Sequence, residues 1–178
     1  FVPNYENIGK SGTRLIKNRL INGITKVGYG GKGSNPRFII GINFNIISQN
    51  ITSTSPTKYA NTYEITFMVV DFITETIFNT FATEISGIGN SPQKSFLRAM
   101  RDLNFDNQNF VNFLKVSENK ILDYYKDNCS TILAEATAEA EMRNFDSAFA
   151  LLNNIPSDAK ECFKTVQKKK SEFFQSSI

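Results

Sequence analysis

Between residues 37 and 86, apolar and polar side chains alternate with a period of two in one segment after another. No other feature restricts this chain so much. In Arg37 to Ile47, Phe38, Ile40, Ile42, Phe44 and Ile46 alternate with Gly41, Asn43 and Asn45. In Tyr59 to Val70, Tyr63, Ile65, Phe67 and Val69 fall on one side, and Thr62, Glu64 and Thr66 on the other. Successive side chains of a strand point to opposite faces, so each segment predicts a strand with one packed and one wet face. Ser48 to Thr57 is polar, contains Pro56 and reads as a long connection. Asp71 to Glu75 supplies a turn, and Thr76 to Ser86 returns as the hairpin partner, ended by Gly87 and Gly89. Strands with one apolar face need a covering layer, which the rest of the chain must provide.

Around these strands the period changes to that of a helix. Residues 11 to 27 place Ile16, Leu20, Ile24 and Val27 on one face and Arg14, Lys17, Asn18 and Asn22 on the other, with Ser11 or Thr13 as cap. Gly28 to Ser34, with four glycines, stops that helix. Ser91-Pro92 starts a second one, with Phe96, Met100 and Leu103 as its buried stripe, and Asn104 to Asn107 breaks it. From Gln108 to Arg143 there is neither Pro nor Gly, which predicts one long helix with Phe110, Leu114, Ile121, Tyr125 and Ile132 on its apolar side. A short helix over Phe145 to Asn153 and a last one over Ser157 to Gln175 follow across Pro156. Phe1-Val2 before Pro3-Asn4 reads as the tail of a strand. The expectation is an α+β chain. An antiparallel-rich sheet packed by two helices occupies residues 1–106, and a long helix with a helical hairpin occupies residues 107–178.

Composition narrows the chemistry. With no His among the 178 residues, imidazole-based triads, His-containing metal sites and histidine switches are excluded. No stretch approaches the roughly 18 consecutive apolar residues of a membrane span. Residues 1 to 90 carry eight basic and five acidic groups and residues 91 to 178 twelve of each, a net +3 too small to argue for nucleic acid. Twenty Asn and sixteen Phe reflect coding bias more than chemistry.

Four candidate sites follow. The loop Gly28-Tyr29-Gly30-Gly31-Lys32 has the glycines of a phosphate cradle, but its order is helix before and strand after, the inverse of a Walker loop. It reads as a connector that offers an interaction loop, with no cofactor. Glu64, Asp71, Glu75 and Glu84 sit on or between strands at solvent-facing parity, and Glu64 with Glu84 is the pair a carboxylate-based hydrolase would use. Such cross-strand acids are more commonly solvated surface. Lys168-Lys169-Lys170 beside Phe173-Phe174 reads as a solvated helix face. Cys129 and Cys162 are too few and too far apart for zinc.

The order of elements over residues 1 to 103 resembles the envelope α+β domain of TolB N-terminal type. That domain occurs in lipoprotein activators of penicillin-binding proteins and in the curli secretion lipoprotein. The hairpin Tyr63-Glu64-Ile65-Thr66-Phe67-Met68-Val69-Val70-Asp71 running into Thr76-Ile77-Phe78 carries the likeness. Asn35-Pro36-Arg37-Phe38, Asn50-Ile51-Thr52-Ser53-Thr54-Ser55-Pro56, Gly87-Ile88-Gly89-Asn90 and Tyr124-Tyr125 resemble uncharacterised proteins of Bacteroidetes and their phages. Asn144-Phe145-Asp146-Ser147-Ala148, with Leu151-Leu152 and Pro156, is similar to the second helix of a degenerate tetratricopeptide hairpin. That repeat has a period of about 34 residues, so the likeness implies Cys129 and Cys162 at nearly one level on neighbouring helices. A disulfide is then reasonable, with two buried free thiols as the alternative.

None of these candidates forms a catalytic constellation, and an α+β docking domain followed by a repeat-like helical hairpin is suited to binding proteins. The expectation is therefore a non-enzymatic protein-interaction or structural subunit of a larger cell-envelope or surface assembly. Its partners would be other protein subunits, its location the periplasm or cell surface, and a lipid anchor upstream of residue 1 would fit. A structural protein of a phage virion is the alternative, and a carboxylate-based hydrolase the second.

Overall fold

The computed structural model describes residues 9–29 and 37–177. The contacts group the chain into two compact units, Phe1–Ser117 and Glu118–Ile178. The fold is α+β.

In the first unit, α1 (Gly9–Lys26) precedes three strands, β1 (Phe38–Ile51), β2 (Tyr59–Asp71) and β3 (Ile77–Gly89), followed by α2 (Pro92–Asp102). The strands form an antiparallel sheet in the order β1-β2-β3. Alternation sets its faces: Tyr63, Ile65, Phe67 and Val69 of the central strand are all buried, as is Ile42 of β1. Phe67 lies at the centre of an aromatic cluster, with ring centroids 5.2 Å from Phe110, 5.8 Å from Phe105 and 6.1 Å from Phe81. Phe110 and Phe113 belong to the first turns of α3 (Gln108–Glu141), and they extend this unit past the Asn104 to Asn107 break into the long helix.

Ser91 caps α2, its Oγ accepting from the Lys94 amide at 3.2 Å, with Pro92 in the first turn. Phe96, Met100 and Leu103 are buried, as their spacing predicts. Beneath the helix, Tyr63 donates to Ser95 Oγ, and Ser95 Oγ donates to the Gly87 carbonyl at 2.7 Å.

Four local expectations change. β1 continues through the polar run to Ile51, because a register shift between Ile46 and Ser48 lets Ser48 to Ile51 pair with Thr62 to Tyr59. Gly87 and Gly89 lie within β3 instead of ending it. A Cβ on Gly87 would overlap Ser95 and Ala99, and one on Gly89 would overlap Ser95 and Lys94, so glycine is what admits α2 to the strand. In α1 the buried stripe is Gly12, Ile16, Leu20 and Gly23, not Ile24 and Val27, because the Phe105 ring seats against Gly23. Ser11 and Thr13 both lie inside the helix, where Thr13 donates back to the Gly9 carbonyl, so neither caps its start. The Phe1-Val2 strand end lies outside the described residues.

The second unit holds the rest of α3 with α4 (Phe145–Asn153) and α5 (Lys160–Ser177). Arg143, at φ 64°, marks the break after α3, and Asn144 opens α4 without a side-chain cap bond. Tyr125, Ala136, Ala148, Leu152 and Val166 are fully buried, and the Tyr125 hydroxyl donates to the Asn154 carbonyl. Cys129 of α3 and Cys162 of α5 form a disulfide with Cα atoms 5.7 Å apart. α5 begins at Lys160, since residues 157–159 form a turn.

Candidate interaction surface

The β2–β3 hairpin tip combines a buried ionic anchor with exposed apolar side chains. Asp71 ends β2. It has the parity of Val69 and Phe67, so it turns to the packed side and is fully buried, contrary to the solvent-facing position its sequence neighbourhood suggests. Its Oδ2 accepts from Arg37, just before β1, at 2.7 Å from Nη2 and 2.8 Å from Nε. Its Oδ1 accepts from the amides of Ile73 and Thr74 at 2.9 and 3.4 Å. Burial by itself would raise the Asp71 pKa. The Arg37 hydrogen bond, the two turn amides and the Arg37 charge outweigh it, so the carboxyl is held below its ordinary range.

One carboxylate thus ties together the start of β1, the end of β2 and the turn. Backbone bonds complete the tie, from the Asp71 amide to the Thr76 carbonyl and from the Phe72 amide to the Arg37 carbonyl. Glu75 takes a left-handed φ of 56° to close the turn, and Thr74 Oγ1 donates to Thr76 Oγ1. On this fixed frame Phe72, Ile73 and Ile77 stand out, 66%, 57% and 55% exposed. Apolar side chains held outward on a hydrogen-bonded turn reach a partner with less backbone entropy to lose than those on an untied loop, which favours docking into an apolar pocket.

The predicted site residues fall elsewhere. Gly28 ends α1 with φ +90° and Tyr29 follows it on the surface, whereas Gly30, Gly31 and Lys32 lie outside the described residues. Glu64 and Glu84 are direct cross-strand partners on the outer face, and Glu84 is exposed. Lys169 pairs with Glu172 at 3.0 Å and lies over the Phe173 ring. Cys129 and Cys162 border a hollow of about 500 Å³, together with Lys126, Asp158 and Lys160. A cleft of about 370 Å³ opens between Arg19 and Lys26 of α1 and the α2 end at Arg101. Among the described residues, no group of three His, Cys, Asp or Glu side chains is placed to hold a metal ion, and no helix is long and apolar enough to cross a membrane. Sequence reasoning missed Arg37, Phe72, Ile73 and Ile77. The available signal was the apolar pair Phe72-Ile73 inside a turn, where polar residues are usual.

No protein-family model matches the chain, and no curated protein matches it. Among solved structures it is similar to a proposed lipoprotein of Caulobacter crescentus, at 10% identity and a TM-score of 0.35, over 67% of this chain and 84% of that one.

Proposed function

We propose that this chain is a non-enzymatic binding subunit that joins other proteins in a larger assembly at the cell envelope or surface. The observation that carries the reading is the hairpin tip, where buried Asp71, paired with half-buried Arg37, holds the turn that presents Phe72, Ile73 and Ile77 outward. A partner offering an apolar pocket gains from desolvating these anchors, the kind of contact that dominates interface energies. The Cys129–Cys162 disulfide supports a site of action outside the reducing cytosol.

The test is native mass spectrometry of the complex purified from its source, with the wild-type chain and with Phe72→Ser/Ile73→Ser. Losing both anchors is expected to weaken the complex by about thirtyfold or more, in line with the 2 kcal/mol or more of a hot spot. A variant that keeps its partners at wild-type stoichiometry and affinity would refute the reading.

A further inference from the structure

Among the described residues, β3 is an edge strand whose ladder partner is β2 alone. At one end the register shift around Phe78 interrupts the pairing, and at the other α2 closes over Gly87 and Gly89. Residues 80–86 lie between these limits. Natural edges are commonly blunted by charged side chains, above all Lys, by Pro or by a bulge. This stretch, Thr80-Phe81-Ala82-Thr83-Glu84-Ile85-Ser86, has no Lys, Pro or bulge and carries one charge, Glu84. Its outer-face side chains Thr80, Ala82, Glu84 and Ser86 are exposed, and its inner-face side chains Phe81, Thr83 and Ile85 are only half-buried.

The order of these residues says what fits the edge. A two-fold axis normal to the sheet pairs the strand antiparallel with its own copy and keeps inner face with inner face. Centred on Thr83, at the middle of the open stretch, such pairing sets Thr83 against Thr83, Phe81 against Ile85, Thr80 against Ser86 and Ala82 against Glu84. Thr–Thr, Thr–Ser and aromatic–β-branched pairs are the favourable cross-strand combinations, and no like charges meet in this register. Centring on Glu84 instead would put two carboxylates face to face. The strand is chemically close to a palindrome about Thr83.

We infer that the chain dimerises through residues 80–86 of β3, joining two three-stranded sheets into one six-stranded antiparallel sheet. This goes beyond the proposed binding role, and it uses a surface distinct from the hairpin tip. Two-fold closure is the commonest form of homo-oligomer. Seven paired residues bury less than the roughly 1,600 Å² of a standard stable interface, so association falls in the concentration-dependent range.

Sedimentation velocity of the full oxidised chain, from about 1 to 300 μM, reads the dissociation constant directly. Ala82→Glu places a carboxylate opposite the second copy's Glu84 twice, by symmetry, and is expected to raise the constant about tenfold. Ala82→Lys makes two opposite-charge pairs instead and is expected to lower it. Both substitutions sit on an exposed position, and circular dichroism checks that the fold is retained. Phe72→Ser/Ile73→Ser is expected to leave the constant unchanged, which separates this interface from the tip. A monomer at every concentration overturns the inference and leaves the edge to a strand from another protein. Shifts of the same sign for Ala82→Glu and Ala82→Lys overturn the register, and dissociation by the tip variant overturns the surface.

Discussion

Asp71→Asn tests the physical basis of the hairpin tip most directly. The substitution keeps the size of the side chain and one carbonyl oxygen for the Ile73 and Thr74 amides, and it removes the charge that Arg37 faces at 2.7 and 2.8 Å. Breaking a buried pair by removing one partner costs about 3–5 kcal/mol when the other charge is left stranded. Arg37 is 16% exposed, so water partly relieves it, and the expected loss is about 2–3 kcal/mol. For a chain of this length that corresponds to a fall in Tm of roughly 4–12 °C at pH 7. The pH dependence adds a second constraint. The folded carboxyl titrates below its unfolded value of about 3.9, so the wild type carries the full stabilisation above that value and loses it as pH falls through the folded pKa. Asp71→Asn has no such group to protonate. Thermal melts followed by circular dichroism at pH 7, 5 and 3 are therefore expected to show the wild-type advantage undiminished at pH 7 and shrinking towards pH 3. A variant within about 0.5 kcal/mol of wild type at pH 7, or a gap that stays constant on acidification, would refute the reasoning.

The other expectations concern packing and the covalent link. Gly87→Ala drives a methyl group into the Ser95 carbonyl and Ala99, and urea unfolding is expected to show a loss of about 1–3 kcal/mol; an unchanged midpoint would mean that α2 does not lie this close. Reducing Cys129–Cys162, whose partners are 33 residues apart, frees a loop worth about 3–4 kcal/mol in the chain-entropy model, and unfolding of the second unit by urea with and without reductant measures it. Phe72→Ser/Ile73→Ser is expected to change stability by less than about 0.5 kcal/mol, because both side chains are exposed; a large loss in a thermal melt would show that they serve the fold.

Local pattern decided much of this architecture. The period-two runs at Phe38 to Ile46 and Tyr63 to Val69 set which faces of β1 and β2 are packed, because a strand's pleat leaves no other way to gather those side chains. Ser91-Pro92 announced the start of α2, since a hydroxyl cap and a first-turn proline satisfy the helix end from within the chain. The absence of Gly and Pro after Gln108 likewise sufficed for α3. Each of these signals acts between residues a few positions apart.

Tertiary structure decided what lies opposite each face. Phe105 turned Gly23 into a core position of α1 and left Ile24 and Val27 at its margin. Ser95 and Ala99 made Gly87 part of a close strand–helix contact, where sequence read only a strand end. Asp71 shares the parity of the buried stripe, but only the arrival of Arg37, 34 residues earlier in the chain, makes a buried carboxylate there stable. The same holds for the candidate surface: Phe72 and Ile73 become anchors because Asp71 fixes the turn beneath them. Periodicity tells a side chain which way to point, whereas its burial, charge state and partner depend on residues that only the folded chain brings within a few ångströms.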